Sequence, residues 1–260
     1  MGEIEEFEEV GHEDQPRGRG FGALRRRGIY LLPNLFTTAS LFSGFYAIVQ
    51  AMNNHFELAA IAIFVAMVLD GLDGRIARLT HTQSEFGAQY DSLSDMVSFG
   101  AAPALVMYVW ALKDMGKLGW IAAFVYCAGA ALRLARFNTN IDVIDKRYFQ
   151  GLPSPMAAAL LAGLVWVFDD FGIDRELWLS VIAWLFTMFA GVTMVTNVPF
   201  YSFKEFNVKR AVPFWVVAVF AASLGVISLK PSVMLFLLVL GYAVSGYVLW
   251  GLGRRAKPAV

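Results

Sequence analysis

Apolar stretches long enough to cross a bilayer recur along this chain, and they dictate its solvent. Eight segments, at about residues 30–52, 55–79, 88–112, 117–138, 153–171, 176–198, 211–229 and 231–252, meet the requirement of roughly 20 mostly apolar residues per spanning helix. A helix satisfies its backbone polar groups within one segment, which hydrocarbon demands. Of 260 residues, 58% are hydrophobic and 16% charged, against about a quarter charged in a soluble domain. The joints are short and polar, as at Asn53-Asn54, Thr80 to Glu85 and Asp169 to Glu176. Pro153, Pro155, Pro199, Pro213 and Pro231 stand near segment ends, where proline starts or stops a helix. The expected fold is all-α, a polytopic transmembrane helical bundle of about eight spans over residues 29–252. A disordered tail is expected at 1–28 and a short cytoplasmic tail at 253–260.

Charge orients the bundle. Seventeen of the 21 Lys and Arg fall in the N-terminal segment, the even-numbered joints and the C-terminus, which leaves four on the other side. That bias places both termini in the cytoplasm and requires an even number of spans. The net charge of zero and the lack of a long basic run give no field for nucleic acid. The first fourteen residues hold seven carboxylates and no Lys or Arg, unlike a secretory signal. Cys127 is the single cysteine, so no disulfide forms within the chain.

Carboxylates stand where a membrane helix should have none. Asp70 and Asp73 close the second span, and Asp91 and Asp95 open the third. Each costs roughly 2–3.5 kcal/mol on insertion scales unless it finds a partner or a wet cavity. Arg75 or Arg78 could neutralise one aspartate as structural glue, but four aspartates with two arginines leave a surplus that needs a cation. The i, i+3 and i, i+4 spacings put each pair on one helical face. The short joint makes the two helices neighbours. Facing pairs of hard oxygen donors suit two divalent cations, Mg2+ or Mn2+. Gly71, Gly74, Ala77 and Gly87 are small enough for close helix approach or for a ligand laid on backbone. Ions beside Arg78 make a site for a diphosphate. The chemistry implied is metal-dependent transfer of a phosphoryl-type group at the cytoplasmic face.

Asp70, Asp73, Gly74, Ala77, Arg78, Gly87, Asp91 and Asp95 occur at the spacing D-x-x-D-G-x-x-A-R-x8-G-x3-D-x3-D. This resembles the signature of the CDP-alcohol phosphatidyltransferases at every fixed position. The resemblance implies that Asp70, Asp73, Asp91 and Asp95 ligate metal, with Asp95 also the catalytic general base. It implies that Gly74, Ala77, Arg78 and Gly87 contact CDP-diacylglycerol. Pro33-Asn34 with Thr37 is similar to the family's first-helix element, which adds Asn34 and Thr37 to those contacts. The resemblance further implies a homodimer in the cytoplasmic (inner) membrane.

Further stretches, DSLSDMVSFGAAP (91–103), RLARFN (133–138), FQGLPSP (149–155) and NVPFYSFK (197–204), resemble the bacterial members that use L-serine. The reaction so implied joins CDP-diacylglycerol and L-serine into phosphatidylserine, releasing CMP. No Ser, Cys or His joins the carboxylates as an obvious nucleophile, which favours direct displacement without a covalent intermediate. An acceptor carboxylate needs a cation, and Arg133, Arg136 and Asn138 at the end of the fourth span are the candidates, with Lys146, Arg147 and Lys204 near in topology. Arginines there also follow from orientation alone. Glycerol 3-phosphate or inositol phosphate would call for the same arginines. A cation transporter is the alternative from another class, but it leaves the fixed Gly, Ala and Arg spacing unexplained.

Overall fold

In the computed structural model, residues 20–80, 82, 84–139, 148–173, 176–201, 223, 225 and 227–253 are described. The seventh expected span, 211–229, lies almost wholly outside them, as do residues 1–19 and 254–260 and the acceptor candidates Lys146, Arg147 and Lys204.

The chain is a bundle of long helices: α1 (Gly20–Met52), α2 (Phe56–Thr80), α3 (Glu85–Asp95), α4 (Ala102–Met107), α5 (Lys117–Thr139), α6 (Ser154–Asp170), α7 (Leu177–Val195) and α8 (Pro231–Gly253). Two π-helical segments, Met96–Ala101 and Tyr108–Leu112, flank α4, and a 3-10 turn over Lys113–Met115 completes one continuous rod from Glu85 to Met115. Among the described residues, five helical stretches are long and apolar enough to cross a membrane: Pro33–Met52, Glu85–Met115, Lys117–Thr139, Leu177–Val195 and Pro231–Leu252. This is a helical membrane protein. α2, whose apolar run gives way to Asp70 and Asp73, and the 17-residue α6 also coincide with expected spans. The first helix starts at Gly20, so the backbone of residues 20–28 continues the first span where a disordered tail is expected. Ala23, Leu24 and Arg25 to Arg27 are good helix formers, and extending an existing helix is far easier than nucleating one.

The all-α expectation needs one correction. Tyr148–Gln150 and Pro199–Tyr201 pair as an antiparallel two-stranded ribbon, with Phe149 opposite Phe200. Three-residue strands are too short to show a period-two pattern. Gly151, at φ 77°, turns the chain out of the ribbon. A Cβ there would lie 2.4 Å from the Met194 carbonyl oxygen, so only glycine fits.

α6 is the central helix: Ala157 to Val165 are buried without interruption, as expected of a helix apolar on all sides. α2 and α8 pack on it, and α5 packs along α7. In lipid no hydrophobic force drives helices together, so small residues and polar bonds must hold them. α5 and α7 touch at Gly129 and Gly191, where a Cβ on Gly129 would sit 2.4 Å from the Gly191 carbonyl oxygen. Along α1, Ser40 Oγ donates to the Ala66 carbonyl (3.0 Å) and Ser43 Oγ to the Ala62 carbonyl (2.7 Å) of α2. Ser98 Oγ, from the first π segment, donates to the Ser40 carbonyl at 3.1 Å. The second and third spans are neighbours, as the short joint implies, and touch where α2 passes the first π segment and α4. α2 and α3 each pack on α1 and make little backbone contact with each other.

Gly129→Val should drive α5 from α7 and cost on the order of 1–3 kcal/mol. Gly241→Ala, on α8 with open space around its would-be Cβ, should be neutral. Thermal unfolding in detergent, followed by intrinsic fluorescence, checks the pair.

Candidate active site

The carboxylates meet where α2 ends and α3 begins. Oxygens of Asp70, Asp91 and Asp95 lie within 4.8 Å of one another. Asp73, only 5% exposed, stands outside that trio but beside Asp91. Among the described residues neither Arg75 nor Arg78 forms an ion pair with any of the four, so the alternative of an arginine as structural glue is not realised there. Oδ1 of Asp91 and Oδ1 of Asp95 are buried with no hydrogen-bond partner. Buried anionic oxygens left unpaired are expensive, and a set of converging hard oxygens is what a divalent cation takes. The residues fit a metal ion.

Beside the carboxylates a cavity of about 320 Å³ opens between α1, α2 and α3. Every position expected at the CDP head lines it: Asn34 and Thr37 from α1, Gly74, Ala77 and Arg78 from α2, and Gly87 from α3, together with Asp73 and Asp91. The Arg78 guanidinium lies over Gly74, with Nη1 3.6 Å from where a Cβ would stand. A Cβ on Gly87 would come within 3.1 Å of Ser84 Oγ and 3.5 Å of Asn34 Oδ1, so glycine keeps that wall thin. Thr82 and Ser84 of the joint also line the cavity. The sequence reading passed over both. Ser84 did leave a signal, as an N-cap whose Oγ accepts the Gly87 N–H at 3.0 Å.

The structure separates the acceptor candidates. Arg133 donates from Nη1 to buried Ser154 Oγ at 2.9 Å, at the start of α6, and lies within electrostatic reach of Asp95. Its Nε is buried and unpartnered. Arg136, three residues on, does not join it. Its Nη1 donates to the Val195 carbonyl (3.2 Å) and Asn197 Oδ1 (3.1 Å), and its Nη2 to the Gln150 carbonyl (2.9 Å). Met194 and Thr196 carbonyls lie at 3.5 and 3.4 Å from the same Nη2. This arginine caps the carbonyl end of α7 and pins the ribbon to it. Asn138 is exposed and bonds Ser92 of α3 at 3.0 Å through Nδ2.

An apolar helical bundle with a hard-oxygen acidic centre beside a polar cavity defines a membrane protein whose acidic centre fits a metal ion. The sequence pattern of the CDP-alcohol phosphatidyltransferases matches residues 30–196, and the chain belongs to that family. It is 36% identical over 228 residues to a CDP-diacylglycerol–serine O-phosphatidyltransferase of Helicobacter pylori, covering 85% of this chain and 92% of that one. The protein of the same name from Mycobacterium bovis is 32% identical over 236 residues, covering 88% and 79%. The one from Saccharomyces cerevisiae is 35% identical over 167 residues, covering 56% and 60%.

Arg136→Gln should lower the thermal midpoint by removing charge-assisted bonds worth about 1.5–3 kcal/mol each. Mn2+ affinity, read by calorimetry on the same sample, should stay at the wild-type value, because none of these bonds reaches the carboxylates.

Proposed function

We propose that the chain transfers the phosphatidyl group of CDP-diacylglycerol to the hydroxyl of L-serine, giving phosphatidylserine and CMP. The observation that carries this is one cavity gathering the expected CDP contacts beside unpartnered carboxylates. The names of the relatives support serine as the acceptor. In this reading the lipid's acyl chains stay in the bilayer while its head enters the cavity, with Arg78 and the small surfaces of Gly74, Ala77 and Gly87 against the diphosphate.

Asp70, Asp73, Asp91 and Asp95 would hold two divalent cations, Mg2+ or Mn2+, which when bound neutralise diphosphate oxygens and the charge of the leaving phosphate. Asp95 accepts the proton of the serine hydroxyl. The freed oxygen forms a bond to the phosphorus that carries diacylglycerol, and the bond from that phosphorus to CMP breaks, CMP leaving with the electron pair. Arg133, with Nε unspent, takes the serine carboxylate. Arg136 is committed to α7 and has no part in the acceptor site.

The lysine and arginine bias supports both termini, and the active site, facing the cytoplasm. Segment 211–229 would complete eight spans, in the inner membrane of a bacterial cell.

CMP release from CDP-diacylglycerol in mixed micelles tests the proposal, with serine, glycerol 3-phosphate and inositol phosphate offered separately. Serine-dependent, EDTA-sensitive release is expected. Release with another alcohol alone would overturn the acceptor, and metal transport without release would point to the transporter. Asp95→Asn should lower kcat by roughly 10²–10⁴. Arg133→Ala should raise KM for serine by roughly 10- to 100-fold with KM for the lipid unmoved; equal rises in both would remove Arg133 from the acceptor site.

A further inference from the structure

Thr37 lines the cavity expected to take the CDP head, and its side chain has a further task. It is 3% exposed, and Oγ1 lies 2.7 Å from Asp73 Oδ2 and 3.1 Å from the Pro33 carbonyl oxygen of its own helix. A hydroxyl has one proton to give. The shorter contact to the anionic oxygen is the stronger bond, in the range of O–H donors to carboxylates. The carbonyl of Thr37 is also engaged: Ser94 Oγ, buried at 2% exposure, donates to it at 3.1 Å. Ser94 stands between Asp91 and Asp95 on α3. One residue of α1 therefore bonds a carboxylate of α2 through its side chain and the carboxylate-bearing turn of α3 through its backbone.

The next rung along α1 repeats the pattern with a different end. Ser40 Oγ donates to the Ala66 carbonyl of α2, and the Ser40 carbonyl accepts from Ser98. Both rungs tie the second and third spans through the first. The Ser40 rung ends on inert backbone, the Thr37 rung on a carboxylate that the proposed reaction uses. α2 and α3 each pack on α1, so α1 helps to set the spacing between their carboxylates.

We infer that Thr37 is a positioning residue: it fixes the orientation of Asp73 by holding Oδ2, and helps to set the distance between the α2 and α3 carboxylates. The inference rests on the reading that these carboxylates bind divalent cations. Partners that orient a metal's ligands typically carry 10- to 100-fold in metal affinity.

The test is Mn2+ binding by calorimetry to the full chain in detergent, with no lipid substrate present, on wild type, Thr37→Val, Thr37→Ser, Ser40→Ala and Asp73→Asn. Thr37→Val keeps the shape and removes the hydroxyl, and should weaken Mn2+ binding by roughly 10- to 100-fold. Thr37→Ser restores the donor and should restore the affinity. Ser40→Ala should lower the metal-free thermal midpoint yet leave Mn2+ affinity at the wild-type value. Wild-type affinity in Thr37→Val, with only KM for CDP-diacylglycerol raised, would overturn the inference and return Thr37 to the head group. Equal losses in Thr37→Val and Ser40→Ala would overturn it too, by showing a general packing effect. Unchanged affinity in Asp73→Asn would instead sink the cation reading of Asp73 itself, whatever Thr37 does. If the valine variant does not survive purification, Thr37→Ala serves in its place.

Discussion

Negative charge at membrane depth is what the rest of this structure is arranged around. Three aspartates converge, with a fourth beside them, in a bundle whose other contacts are mostly apolar, and few charges among the described residues meet them. Thr37 answers one oxygen of Asp73 with a neutral donor. Arg136 is occupied by carbonyls of α7 and the ribbon, and Arg78 lies along the cavity without pairing to an aspartate among the described residues. The buried oxygens on Asp91 and Asp95 go unanswered among the described residues. A protein that retains such a deficit against a cost of several kcal/mol per ion is built for a positive charge from outside. The proposed cations and the anionic head they would grip follow from that deficit.

Hydroxyls and glycines do the joining that apolar burial does in water. Ser40, Ser43, Ser94 and Ser98 each donate across a helix interface to a backbone carbonyl. These bonds average well under 2 kcal/mol in membranes, but they fix register, which apolar contact in lipid cannot. The π segment that follows Asp95 belongs to the same economy of backbone bonds. Widening the helix disturbs its ladder, and the buried Tyr126 hydroxyl donates to the Phe99 carbonyl at 3.0 Å. Such bulges recur at functional sites because they re-aim the adjacent turn. Here the adjacent turn carries Asp91, Ser94 and Asp95.

Apolar run length made the described spans legible because hydrocarbon imposes one minimum length on every crossing helix. The signature was legible because its fixed residues lie on two short helical faces. The neighbours of those faces were not. An i, i+4 spacing says which side of its own helix a side chain occupies and is silent about which helix stands opposite. Hence α1 emerged as the common partner of α2 and α3, and Ser94 as a bond between spans, only in three dimensions. Thr37 was picked out for its place in a motif, while its actual partner lies 36 positions away. The ribbon escaped notice because its strands are short and joined by a long excursion through α6 and α7.

Arg133 and Arg136 show how spacing can mislead and then inform. Their i, i+3 separation suggests one joint anion site, but α7 ends beside Arg136 and its unpaired carbonyls claim that guanidinium. Arg133, bonded to Ser154 and in reach of Asp95, is separated from it. In the proposed reaction this division has a chemical sense. Serine bears its hydroxyl and its carboxylate on adjacent carbons, so a base that takes the proton and a cation that takes the carboxylate must stand close together. A second arginine in the same space would enlarge the positive field and favour the doubly charged phosphate of a competing acceptor. In that reading, binding Arg136 into the end of α7 keeps its charge out of the acceptor space.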